Sequence, residues 1–200
     1  MPRAKCSLYE PGLQTAFMLR YPVQQGCSGG TRRQEMVLNI DCLPTILDLA
    51  GVQIPANVQG RSLAPLLSGN SYAPRDEIFG ELTYHDYYDP RRSVRTEQFK
   101  LIVNFSTAPA FMDPSQSWRP RSETVVPANH ALAYHSTIEM FDLKNDPWEQ
   151  RDISEDPKRA DVLHDLRARL RKHMEQTSDP LLQGAVPNPL HMRSLAWLQA

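Results

Sequence analysis

The stretch DPKRADVLHDLRARLRKHMEQ, residues 156–176, constrains the fold of this chain more than any other. Val162, Leu163, Leu166, Leu170 and Met174 recur at helical spacing, with Arg and Lys on the opposite side, which predicts one amphipathic helix. Its basic side reads as a solvated surface. An apolar helix stripe needs a second layer to cover it. Strand-like runs stand ahead of it: EIFGELTY (77–84), RSVRTEQFKLIVNF (92–105) and IEMFDL (138–143). Val94, Phe99, Leu101 and Val103 are the apolar positions of the second run, and TEQ (96–98) is placed to turn a hairpin. KNDPWEQRD reads as a turn into the helix. A mainly antiparallel sheet carrying one long helix follows.

The chain before this sheet has a different texture. TAFMLRYP, Thr15 to Pro22, reads as a short buried strand ended by proline, and QQGCSGGTRRQ as a turn-rich loop. In VLNIDCLPTILDLAG, Val37 to Ile40 reads as a strand end or an approach, and Asp41 as the N-cap of a helix. Pro44 sits in the first turn, where its missing N–H costs little, and Gly51 supplies a left-handed stop. One strand and one helix cannot bury both faces of a sheet, so this portion is too short for a doubly wound domain of its own. The texture changes near Gly69 to Pro74. The expected organisation is 1–70 as the end of an α/β domain, 71–178 as a small antiparallel-sheet subdomain with one long helix, and 179–200 as a tail. The fold class is therefore α/β in the sense of an α+β fragment. Ser106 to Asn129 reads as an excursion loop, and the tail from Ser178 as loosely packed or disordered.

Composition narrows the function. The formal net charge of −1 gives no field favouring nucleic acid or an anionic membrane. No apolar run approaches the length of a bilayer span. Seventeen prolines against nine glycines favour short elements joined by loops. The three cysteines, Cys6, Cys27 and Cys42, are odd in number and irregularly spaced, so they read as unpaired or buried thiols rather than a disulfide framework or zinc site.

Four stretches in register carry a resemblance. KCSLYEPG (5–12) is similar to a segment of lysine, small residues, tyrosine-acid and glycine. DCLPTILDLAGVQIPANVQGRSLAPLLSG (41–69) is similar to a D-x-x-P-T-[IL]-L pattern running on to G-x-S-L-x-P-L-L-x-G. RSVRTEQFKLIVNF matches an R-x-V-R-T hairpin, and MFDLKNDPWEQRDISEDP a turn leading into the last helix. Together they resemble the C-terminal part of a sulfatase, in the alkaline-phosphatase-like superfamily of sulfate-ester hydrolases. The long insertion after KLIVNF and the helix ending in TSDP look most like the heparan N-sulfatase (sulfamidase) branch.

The resemblance implies a formylglycine nucleophile, made from the cysteine of a C-x-P-x-R or C-x-A-x-R motif, and a calcium ion. Neither motif occurs in these 200 residues: Cys42 is followed by Pro44 but has Ile46 where arginine belongs. Both groups are expected on polypeptide ahead of KCSLYEPG, and Met1 is read as an internal start or the edge of a truncated or separate chain. On that expectation this chain is inactive alone, Lys5 is exposed and poorly ordered, and the apolar faces of 15–22 and 42–50 are left uncovered, favouring association.

For the residues present, the resemblance implies that Lys5 contacts a sulfate oxygen, where a fixed cation stabilises developing charge; without it, Lys5 reads as a surface lysine. In GELTYHDYYDPRRSVRT, His85, Asp86 and Glu81 are the candidates for holding the hydroxyls and amines of a sulfated small molecule or glycan, against a plain polar loop with packing tyrosines. Arg92 and Arg95 read as structural carboxylate partners, and Asp41 and Asp142 as a helix cap and a turn acceptor. A non-catalytic remnant that binds a sulfated glycan or a partner is the alternative. A cysteine phosphatase loop, Cys27 to Arg33, fits C-x5-R spacing but lacks the usual preceding histidine and following hydroxyl.

Overall fold

In the computed structural model, the described residues are 7–21, 30–84, 88–106 and 136–199. They form two compact units. One takes the described parts of Met1–Leu13, Phe79–Val94 and Gln98–Ala200; the other takes those of Gln14–Ile78 and Arg95–Glu97. Packing, not chain order, thus groups residues 7–13 and the tail with the sheet.

The first unit is built on four strands in the order β1 (Ile78–Tyr84), β2 (Tyr88–Arg95), β3 (Phe99–Asn104) and β4 (Ile138–Asp142). Links of three residues join β1 to β2 and β2 to β3, far too short for a parallel crossover, so these pairs are antiparallel. The β3–β4 pair is antiparallel as well, with Phe99 opposite Asp142 and Val103 opposite Ile138. TEQ turns the β2–β3 hairpin, as the sequence predicts.

Strand alternation then sorts the side chains onto two faces. Val94, Leu101 and Met140 meet Leu166, Leu170 and Met174 of helix α4 (Ala160–Gln176), with Val162 and Leu163 at the margin. The helix predicted over 156–176 is therefore α4, preceded by a 3-10 turn at Pro157–Arg159 that Asp156 caps through the Lys158 N–H. On the other face, Ile102, Phe141 and Leu143 pack with Leu8 and Tyr9, which lead into helix α1 (Glu10–Leu13).

The start of the tail departs from the loose packing expected of it. Asp179 and Leu181 are buried, a 3-10 turn forms at Pro180–Leu182, and helix α5 (Pro189–Gln199) follows. A buried charge partner for Asp179 fixes the start of this segment. α5 itself has no buried residue, with Leu190, Trp197 and Leu198 all more than two-thirds exposed.

The second unit holds helices α2 (Cys42–Leu49) and α3 (Ala64–Leu67). Asp41 organises it from a fully buried position. It stands at the N-cap position of α2, as the sequence reading has it, but its side chain makes no cap to the helix. Its carboxylate instead accepts the Leu38 and Arg61 N–H groups, each at 2.8 Å, and a two-point bond from Arg75 at 2.6 and 2.7 Å. Thr45 Oγ1 donates to the Asp41 carbonyl and accepts the Leu63 N–H, tying α2 to the GRSL stretch. A Cβ on Gly60 would lie 2.0 Å from the Ile40 carbonyl oxygen, so only glycine fits there. Gly51, at φ +70°, ends α2 as predicted. The spaced Asp, Thr and Gly of this motif are its polar joints.

One sequence expectation fails in this unit. Residues 15–21 are not a buried strand: the backbone is irregular, and Phe17, Met18 and Leu19 are exposed. They pair with none of β1–β4, the one sheet among the described residues, and an unpaired strand cannot satisfy its backbone groups. Val37 to Ile40 is an approach rather than a strand end, running into a 3-10 turn, Asn39–Asp41, where Asp41 draws back the Leu38 N–H. Ile40, Leu43 and Ile46 are each about half exposed or more, an uncovered apolar face as expected.

Candidate functional site

The hairpin between β1 and β2 carries the expected sugar-contacting residues. His85 and Asp86 lie outside the described residues; Tyr84 ends β1 and Tyr88 begins β2. Tyr84 and Tyr88 face each other with ring centroids 5.1 Å apart. Both bond to one residue of the tail: the Tyr84 hydroxyl donates to the Val186 carbonyl at 2.5 Å, and the Val186 N–H donates to the Tyr88 oxygen at 3.0 Å. The end of β1 and the start of β2 are thus both bonded to the segment after Asp179.

Glu81 stands on β1 with its side chain 77% exposed, 3.9 Å from Arg92 Nε. A carboxylate so placed is free to accept from a hydroxyl or amine. Arg92 is not: its five N–H donors serve Asp179 twice, the Leu82 and Arg91 carbonyls, and Thr83 Oγ1. The structural pairing expected for Arg92 is therefore with Asp179. Burial pushes the Asp179 carboxyl up, but the hydrogen bonds from Arg92 and the Leu181 N–H outweigh it and hold the group below the usual range. Arg95 donates to the Thr96 carbonyl at the turn.

Asp142 behaves as the turn acceptor the sequence suggests. It takes the side-chain amides of Asn145 and Gln98 and the Asn145 N–H, which overcome its burial and lower its pKa.

Around KCSLYEPG, Lys5 and Cys6 lie outside the described residues. Directly after them comes a buried polar seam that the sequence reading missed. Lys100, fully buried on β3, places its ammonium 2.7 Å from Glu10, 2.8 Å from Glu149 and 3.0 Å from the Leu8 carbonyl. The Glu10 N–H donates to Glu149 at 2.5 Å. Two positions along the same strand face, Asn104 donates to Glu139, which also accepts the Tyr9 hydroxyl at 2.8 Å. Burial raises the pKa of Glu149, and the Lys100 charge offsets this only in part. A lysine inside the apolar run QFKLIVNF was the available signal; which carboxylates would meet it was not.

Among the described residues, no group of three or more His, Cys, Asp or Glu side chains could hold a metal ion. Cys42 is a free, half-buried thiol; Cys27 lies outside the described residues. No helix among the described residues is long and apolar enough to cross a membrane.

Comparison with known proteins says which class of protein this four-stranded sheet and long helix belong to. The family described as "N-sulphoglucosamine sulphohydrolase, C-terminal" matches residues 4–114, more than half of the chain, and the chain belongs to that family. It is 26% identical to the human N-sulphoglucosamine sulphohydrolase over 90% of its own length and 40% of that protein. It is 23% identical to an ulvan-active sulfatase of Formosa agariphila, covering 93% of this chain and 38% of the relative. A solved 2-O GAG sulfatase matches with a TM-score of 0.53 at 26% identity, covering 72% of this chain and 26% of that one. The chain thus spans at most two-fifths of the length of these relatives.

Proposed function

We propose that this chain is the C-terminal portion of a hydrolase of sulfate esters or sulfamates on sugars. In this reading, 1–70 closes the catalytic α/β domain, 71–178 is the C-terminal subdomain and 179–200 its tail. Lys5 contacts a sulfate oxygen and stabilises the charge that grows as the sulfur bond breaks. His85, Asp86 and Glu81 hold sugar hydroxyls or amines at the hairpin tip. The observation that carries the reading is that one family match, 4–114, takes in both Lys5 and the 81–86 stretch. The exposed Glu81 carboxylate and the clasped tyrosine pair support it.

The nucleophile and calcium belong to polypeptide preceding Lys5, so the 200-residue chain is inactive alone. The test is hydrolysis of an aryl sulfate and of N-sulfated glucosamine, with the isolated chain and with the same chain joined in frame to polypeptide bearing a C-x-P-x-R motif. Calcium-dependent turnover by the joined protein only is expected. Turnover by the isolated chain overturns the assignment of the nucleophile. Glycan binding without turnover in either form favours the non-catalytic reading instead.

A further inference from the structure

We infer that Lys100 and Glu139 are positioning residues, whose buried contacts with Leu8, Tyr9 and Glu10 hold the segment that follows Lys5 against the sheet. The inference rests on the sulfate role proposed for Lys5. Two independent attachments carry it. The Lys100 ammonium joins the Leu8 carbonyl and the Glu10 carboxylate to Glu149, and 2.5 Å separates the Glu10 N–H from Glu149. The Tyr9 hydroxyl joins Glu139, which is itself held by Asn104. Three consecutive residues are therefore each bonded to β3, β4 or the turn beyond, more than 90 residues away along the chain.

The chemistry of the seam favours placement over mere adhesion. An apolar contact would bury Leu8 and Tyr9 equally well at several registers, because dispersion is not directional. A lysine between two carboxylates is satisfied at one register only, and a slip leaves a charge buried without its partner. Lys5 stands three residues before Leu8, close enough that the register of the seam limits where its ammonium can reach.

The experiment reads the seam and the catalytic role separately. Amide hydrogen exchange is followed in the 200-residue chain for wild type, Lys100→Met, Lys100→Arg, Tyr9→Phe and Glu139→Gln. Exchange at 9–13 is expected to rise at least tenfold in Lys100→Met and severalfold in the two gentler variants, with α4 amides unchanged and partial rescue in Lys100→Arg. An unchanged 9–13 segment overturns the inference, and so does exchange that rises equally in α4, which makes Lys100 a plain core residue. If Lys100→Met fails to fold, Tyr9→Phe and Glu139→Gln decide the matter alone. In the joined protein, Glu139→Gln is expected to lower kcat more than tenfold with KM within twofold; an unchanged kcat overturns the positioning role. Absence of sulfatase turnover in the joined wild type would instead sink the reading of Lys5, leaving the exchange result to stand or fall separately.

Discussion

Arg92 on β2 and Asp179 at the head of the tail are bound at two points, Nε to Oδ2 at 2.5 Å and Nη2 to Oδ1 at 3.1 Å, both side chains buried. The pair ties the end of the chain to the sheet and so delivers Val186 to the two tyrosines of the candidate hairpin. Removing one partner leaves the other charge buried without its two-point bond, which costs about 3–5 kcal/mol. Arg92→Met and Asp179→Asn should each lose that much in urea unfolding. A double Arg92→Met/Asp179→Leu variant should regain part of it. Single variants within about 0.5 kcal/mol of wild type, the range of ordinary surface changes, would show the pair to be idle.

Acid should act on the second unit through Asp41. Its burial alone would raise the carboxyl pKa, but Arg75 and the Arg61 and Leu38 N–H groups bring it below the ordinary 3.8. A depressed folded pKa means stability that is whole above 3.8 and is lost as pH falls from there through the folded value. Wild type should therefore lose stability relative to Asp41→Asn on acidification below that point. A difference that stays constant with pH would remove Asp41 as the titrating group.

Glu149 should behave in the opposite sense. Burial raises its pKa above the ordinary 4.5 despite the Lys100 charge, so the folded state holds the proton longer than the unfolded chain. Stability is then lost as pH rises from 4.5 through the folded value. The stability of wild type relative to Glu149→Gln should decline over that window. A wild type that gains on its variant as pH rises would mean that attraction to Lys100 outweighs burial.

Gly60 offers a test of the DCLPT to GRSL joint. An added methyl meets the backbone oxygen of Ile40 at 2.0 Å, and backbone cannot swing aside as a side chain can. Gly60→Ala should destabilise the chain by about 1–3 kcal/mol. A neutral outcome in chemical denaturation would mean that the two segments separate freely.

Ile40, Leu43 and Ile46 leave an apolar face on and beside α2. The 200-residue chain should associate with rising concentration in sedimentation, and Leu43→Glu with Ile46→Lys should suppress it. Association that survives both changes must use another surface, α5 with its exposed Leu190, Trp197 and Leu198 being the first to examine.

What the amino-acid order determined by itself was the set of elements whose cause is local. The stripe from Val162 to Met174 specifies α4, alternation from Phe99 to Val103 specifies β3, and TEQ and Gly51 specify a turn and a stop. These signals complete themselves within a few residues. Arg92 could be read as a carboxylate partner, and Lys100 as out of place among apolar neighbours, yet neither partner could be named. Asp179 lies 87 residues from Arg92, and Glu149 is brought to Glu10 across 139. The irregular, exposed course of 15–21 was hidden for the same reason, since an apolar run becomes a strand only when a neighbour takes its hydrogen bonds. Pairing of buried charges and strands depends on what the whole fold brings into contact, and only the tertiary structure decides that.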